Sequence, residues 1–291
     1  MGTNSRAAWT LTVTGYGFEG KNLAEVAERC VDAGIPGIEC APPLVEGLDL
    51  PTIDRLGADF RAAGLRIPSF HLPFEAKHDV ASFYRTLRRK AVDELRRWIE
   101  RAAAIGAEVV ILHPSTSRCD AELEGVDAFL GALSQSLETL LPAAEEHGVL
   151  IALENMLPGE GARFGSRPDH FRSILRELAH PSLGFCLDTG HALVAGGPEG
   201  AHEFQATMGD ALVAYHLSDT AGDRDMHIAP GRGLVDWGSV FRSARGARFS
   251  RAMCIETVPF AHCVRGVFSA EAWREHYRSV ERLQEAALAS G

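Results

Sequence analysis

Eight times along the chain a short apolar or β-branched run is followed by a longer segment with helical periodicity, and the rhythm holds from end to end. The runs are TLTVTG (10–15), GIEC (37–40), RIPSFH (66–71), EVVILH (108–113), VLIALE (149–154), LGFCLD (183–188), LVAYHL (212–217) and AMCIET (252–257). Between them lie segments such as 22–34, where Asn22 is suited to cap a helix and Gly34 to end it, and 84–106, which stops at Gly106. A βα unit needs a parallel partner strand. Eight such units without a Ser/Pro-rich linker or a shift in composition predict an α/β fold, a single (β/α)8 TIM barrel with one domain over 1–291 and the barrel proper at about 9–288. The alternative, an open doubly wound sheet, usually carries a Gly-rich phosphate loop after its first strand, and GYGFEG at 15–20 lacks the required spacing.

The remaining global features narrow the class. Hydrophobic residues make up 46% and charged residues 23%, which suits a packed core. No apolar stretch approaches the roughly 20 residues of a membrane span, and the first twenty residues lack the apolar centre of a signal peptide, so a cytoplasmic protein is expected. Cys30, Cys40, Cys119, Cys186, Cys254 and Cys263 are scattered without a C-x-x-C pair, as expected of reduced thiols. A formal charge of −10 offers no broad basic surface for phosphates. The expected partner is a small molecule rather than nucleic acid or membrane; a homo-oligomer stays open.

In a barrel of this kind the chemistry is read at the C-terminal ends of the strands. Seven of the eight runs close on a histidine or a carboxylate: Glu39, His71, His113, Glu154, Asp188, His216 and Glu256. Each alone has a plain structural explanation, and Glu39 is read as an ordinary strand-end carboxylate that salt-bridges a neighbouring loop. Converging on one mouth, the others would repel one another and resist desolvation unless cations sat among them. Carboxylate and imidazole without cysteine suit Mn²⁺, Zn²⁺, Co²⁺ or Fe²⁺. Two nearby motifs add candidates. Asp188 and His191 form D-x-x-H, with Gly190 expected to allow a tight turn. Asp225 and His227 flank Met226, and an extended D-x-H would place both side chains on one face.

The ordered set FHLPF, ILHPS, ALENM, CLDTGHA, HLSDT, DMHIAPGRG and IETV resembles the xylose isomerase-like TIM barrel superfamily, which contains sugar isomerases and epimerases and the endonuclease IV group. The resemblance runs over nearly the whole barrel. It implies one divalent metal held by Glu154, Asp188, His216 and Glu256, with Mn²⁺ first and Zn²⁺, Co²⁺, Fe²⁺ and Mg²⁺ as the other choices. It also implies that Glu154 and Glu256 are the catalytic acid and base of a metal-dependent isomerase or epimerase of a keto sugar, sugar phosphate or polyol, working through an enediolate. The endonuclease IV branch would instead hold three zinc ions, with His71 and His113 joining Glu154 at the first, the same four residues at the second, and His191, Asp225 and His227 at the third. HIAPGRG in its Pro-Gly form, the acidic total and Phe74 in HLPF favour the epimerase branch. A metal-dependent dehydratase of a keto-polyol is the remaining alternative. His191 is expected to contact a substrate hydroxyl, and Arg224 or Arg232 a substrate phosphate.

Overall fold

The computed structural model describes residues 9–18, 20–159, 161–259 and 268–289. Eight parallel strands close on themselves in sequence order: β1 (Leu11–Thr14), β2 (Gly37–Cys40), β3 (Arg66–His71), β4 (Val109–Leu112), β5 (Leu150–Glu154), β6 (Leu183–Asp188), β7 (Leu212–Leu217) and β8 (Met253–Ile255). The outer ring comprises α1 (Leu23–Ala33), α2 (Leu50–Ala62), α3 (Arg85–Ile105), the single turn α4 (Ala121–Glu124), α5 (Val126–His147), α6 (Pro168–Glu177), α7 (Thr189–Gly196), α8 (Gly200–Met208), α9 (Trp237–Gly246) and α10 (Ala270–Ala289). This is the single (β/α)8 barrel that the alternation predicts.

Local chemistry sets the boundaries. The Asn22 side chain accepts from the Glu25 N–H at the start of α1, and Gly34 ends it in the left-handed region at φ 70°. Gly106 ends α3 in the same way at φ 99°. The first, fourth, fifth and eighth strands are shorter than their sequence runs, because the flanking residues turn away into loops. Glu256, just past β8, is still pinned through its N–H to the Leu217 carbonyl at 3.1 Å.

Most of the apolar core lies between the outer strand faces and the helices, with Phe70, Phe171, Phe185, Phe204, Phe241 and Trp273 fully buried there. A smaller cluster of Val109, Ile111, Ala152, Cys186 and Ala214 fills the barrel interior. Side chains alternate along a strand, so interior positions recur every second residue. Counting from that inner cluster, Ala152 leads to Glu154, Cys186 to Asp188, Ala214 to His216 and Ile111 to His113. The inner layer therefore carries the next residue of each strand into the mouth. The described cysteines Cys30, Cys40, Cys119, Cys186 and Cys254 are free thiols, and burial pushes Cys30, Cys40 and Cys186 up to about 12; Cys263 lies outside the described residues. No described helix is long and apolar enough to cross a membrane.

Candidate metal centre

His216 lies at the focus of the mouth, with no exposed surface. Its Nδ1 is 3.1 Å from Glu154 Oε1 and 3.0 Å from Glu256 Oε2. Glu154, Asp188, His216 and Glu256 each bring one nitrogen or oxygen within 4.8 Å of the others. The strand ends thus assemble the four residues that the ordered motifs single out. On one flank His71 Nε2 and His113 Nε2 approach Glu154 Oε2 at 3.6 and 3.1 Å. On the other, Asp188, His191 and His227 form a third group of the same kind, and Asp225 Oδ2 reaches His227 Nε2 at 3.1 Å and His191 Nε2 at 3.8 Å.

The main chain and its neighbours hold these groups in place. Asp188 caps α7, its Oδ1 accepting from the His191 N–H at 2.6 Å, and Ser218 Oγ lies 3.2 and 3.3 Å from its two oxygens. Asn155 accepts from the Asp188 N–H and donates to the Asp188 carbonyl, which ties the end of β5 to the end of β6. His71, His191 and His227 each present Nδ1 to a main-chain carbonyl, those of Leu72, Asn155 and Glu256, at 2.8, 2.8 and 2.9 Å. Each ring then turns Nε2 toward a carboxylate. Tyr16 and Phe74 form an aromatic shelf beside this flank, with Phe74 packing against His71 and His113 at 5.0 Å. Phe74 is 42% exposed.

Three sequence expectations need correction. Gly190 makes no tight turn; it lies inside α7, where a Cβ would come 2.4 Å from Ser218 Oγ, so its role is to admit the hydroxyl that touches Asp188. The D-x-H segment is not extended. His227 adopts the left-handed region at φ 42°, and the two side chains meet across that turn. Glu39 does not salt-bridge a loop: it is buried inside the barrel, accepting from Ser69 Oγ at 2.8 Å and facing His216 Nε2 at 3.1 Å. Arg224 and Arg232 are exposed on the loop after β7. Asn155, Ser218 and Asp219 also escape a reading confined to strand ends, although Asn155 directly follows Glu154 in ALEN and the other two lie just beyond His216 in HLSD.

The electrostatics are those of a site built around positive charge. Burial opposes ionisation of Glu154, yet the charge of His216 and hydrogen bonds from His113, His216 and His71 hold its carboxyl well below the usual range. Glu256 is held at about 2 against its burial, by His216 and His227. Burial pushes Asp188 up to about 7, with Glu256 and Glu154 adding to it against the pull of His191 and His227. Burial would lower His191, but Asp188, Asp225 and the two glutamates carry it up to about 9, whereas burial prevails at His113 and pulls it down to about 4. Glu154 Oε2, Glu256 Oε2 and Asp225 Oδ1 are buried yet accept no hydrogen bond of good geometry. Buried acceptors in this number without well-aligned donors are costly, and an oxygen- and nitrogen-binding divalent cation satisfies them. The donor set fits one.

A family model described as xylose isomerase-like TIM barrel matches residues 27–284. Among curated proteins, an uncharacterized protein of Methanocaldococcus jannaschii is 27% identical over 216 residues, covering 74% of this chain and 72% of that one. A probable endonuclease 4 of Solibacter usitatus is 36% identical over 162 residues, covering 52% of this chain and 54% of that one, so the match spans about half of that relative. Among solved structures, a D-tagatose 3-epimerase-like protein superposes with a TM-score of 0.78 at 22% identity, covering 97% of this chain and 99% of the other. The zinc-bound IOLI protein superposes at 0.76 with 18% identity, covering 96% and 99%. At those identities the two structures speak for the fold. With the family model spanning most of the barrel, the chain belongs to the xylose isomerase-like TIM barrel family.

Proposed function

We propose that this protein is a divalent-metal-dependent isomerase or epimerase of a keto sugar, sugar phosphate or related polyol. The observation that carries the reading is the pair of glutamates converging on one atom: Glu154 and Glu256 flank His216 Nδ1 at 3.1 and 3.0 Å, with Asp188 in the same group. Glu154, Asp188, His216 and Glu256 would hold the metal, Mn²⁺ first by the mix of carboxylate and imidazole, with Zn²⁺, Co²⁺, Fe²⁺ or Mg²⁺ as substitutes. When bound, it polarises the substrate carbonyl and acidifies the neighbouring carbon. Proton movement falls to the glutamates. Glu256, whose side chain is 14% exposed, is the more accessible to a substrate and takes the α-proton, while Glu154, 1% exposed, sits across His216 to deliver one. His191 orients a substrate hydroxyl, and the ring of Phe74 supports the C–H face of the sugar. The structural likeness to a D-tagatose 3-epimerase-like protein supports the same class.

The test is solvent exchange. Protein reconstituted with Mn²⁺ is incubated with a panel of ketoses and their phosphates in D₂O, and one deuterium per turnover is expected at the carbon beside the carbonyl of the true substrate. Asp188→Ala should lose the metal with the fold retained. Absence of exchange across the panel by fully metallated protein would remove this reading.

A second reading is favoured by the two flanking groups, His71 with His113 and Glu154, and Asp188 with His191 and His227. Together with Asp225 they match the trinuclear phosphodiesterase arrangement, and one curated relative is named a probable endonuclease 4. Three zinc ions per chain, with cleavage at abasic sites in DNA, would establish it over the first. A metal-dependent dehydratase would instead show loss of water from a keto-polyol.

A further inference from the structure

Four histidine rings around the mouth have a visible partner for a second nitrogen, and one of them is arranged in reverse. His71, His191 and His227 turn Nδ1 to main-chain carbonyls and offer Nε2 to the site. His216 does the opposite: its Nδ1 faces Glu154 and Glu256, and its Nε2 faces Glu39, at 3.1 Å from Oε1 and 3.2 Å from Oε2. Glu39 has no donor to offer, while Ser69 Oγ donates to its Oε2 at 2.8 Å. Both ring nitrogens face carboxylate oxygens, but Glu154 and Glu256 belong with His216 to the group that would hold a cation and Glu39 does not, so with a cation at Nδ1 the hydrogen of the neutral ring falls to Nε2, where Glu39 accepts it. We infer that Glu39 is a positioning residue that keeps the proton of His216 on Nε2 and so leaves Nδ1 free for the cation.

The placement supports that role. Glu39 is 1% exposed and comes from β2, across the barrel from β6; it borders the far side of the barrel and so reaches His216 from beneath the site, touching none of the other three ligands in the hydrogen bonds and ion pairs of the mouth. Ser69 stands beside it in the register of β2 and β3, and fixes the carboxylate's rotation. A carboxylate behind a ligating histidine locks the ring's orientation and raises its basicity, and losing such a partner costs about 10- to 100-fold in metal affinity. Glu39 and Ser69 also border a cavity of about 290 Å³ on the far side of the barrel, lined by Arg66, Glu108 and Arg251, so a shorter side chain at 39 meets polar surroundings.

This inference rests on the metal reading of the site, and the experiment separates the two. Zn²⁺ affinity is measured on the purified protein by competition with a chromogenic chelator, for wild type, Glu39→Ala, Glu39→Gln, Ser69→Ala and Glu154→Ala. Glu39→Ala is expected to bind about 10- to 100-fold more weakly, with Glu39→Gln, which keeps an acceptor in place, recovering part of the loss. Ser69→Ala should fall between wild type and Glu39→Ala. In the Zn²⁺-loaded wild type, nitrogen-15 NMR should show the His216 proton on Nε2. Wild-type affinity in Glu39→Ala and Glu39→Gln alongside lost affinity in Glu154→Ala would overturn the role of Glu39 alone, as would a proton found on Nδ1. Unchanged affinity in Glu154→Ala would overturn the metal reading itself.

Discussion

Two regions of the mouth carry the same residue types under different constraint. Glu154, Asp188 and His216 stand at or next to the last residue of β5, β6 and β7 and are 1% exposed or less. Asp225 and His227 sit on the loop after β7, with side chains 28% and 35% exposed. The barrel places the first set through strand register alone, since each is an interior position one step above the inner apolar layer. The loop pair has no such scaffold. It depends on Asp219, fully buried, whose carboxylate accepts from the N–H groups of Thr220, Gly231 and Val235 and from Trp237 Nε1, all at 2.9 to 3.1 Å. Asp219 also pairs through its main chain with Ile228, the neighbour of His227. One region inherits its geometry from the fold, and the other has it built by a single residue.

The strongest way to break that contrast is at the strand ends. Glu154→Ala removes the carboxylate that His71, His113 and His216 all address. Turnover is expected to fall by at least about 10³-fold, because proton transfer and metal binding are lost together. Far-ultraviolet circular dichroism should be unchanged, since the barrel strands close without it. Metal content and solvent-exchange rate on the same preparation check both halves of the expectation.

The same contrast decides what was legible in the sequence. Glu154, Asp188 and His216 end apolar runs, and a polar residue there stands out against the pattern; the period of two then sends it inward. Glu39 ends a run in the same manner, but the sequence carries no sign that Ser69 and His216 await it across the barrel, contacts 30 and 177 residues away. Gly190 was visible as a special residue, though not for the right reason, because only tertiary packing brings Ser218 against it. At Asp225 and His227 the spacing placed both residues at the site while the extended geometry expected of D-x-H failed. The loop's path is set by Asp219, and a buried hub of N–H groups leaves no periodicity to read.

Asp219→Ala tests the loop's dependence. Four donors, three of them buried, lose their common acceptor, which should cost on the order of 3 kcal/mol in urea unfolding. Misplacement of the loop that carries Asp225 and His227 should lower turnover about 100-fold with the strand-end metal retained. Metal loss on the same scale as in Glu154→Ala would mean that the two regions are not separable. Gly190→Ala acts on a smaller scale, by driving Ser218 Oγ away from Asp188. The mismatch is between one methyl and one hydroxyl, and a roughly tenfold weaker metal affinity is expected, the lower end for loss of a supporting hydrogen bond. Gly190→Ala paired with Ser218→Ala relieves the contact but not the lost hydrogen bond, so affinity should stay low while stability returns.

His227→Ala should have the smallest effect, and its size sharpens the comparison most. The ring is 35% exposed, and its ion pair with Asp225 at 3.1 Å is partly screened by solvent, so its removal is expected to cost at most about 1 kcal/mol of stability. Its Nδ1 also holds the Glu256 carbonyl at 2.9 Å, so its loss allows a modest shift of the Glu256 carboxylate. In a mononuclear isomerase those two losses lower kcat/KM by no more than about tenfold, since His227 contributes orientation rather than proton transfer. In a trinuclear centre the same ring is a ligand, and the variant would lose one metal ion per chain and nearly all phosphodiester cleavage. Metal stoichiometry of His227→Ala therefore measures whether the loop is an accessory to the strand ends or an equal part of the centre. The exposure of the pair, its irregular backbone and its reliance on Asp219 place it as the accessory, and a near-normal metal content is the outcome expected.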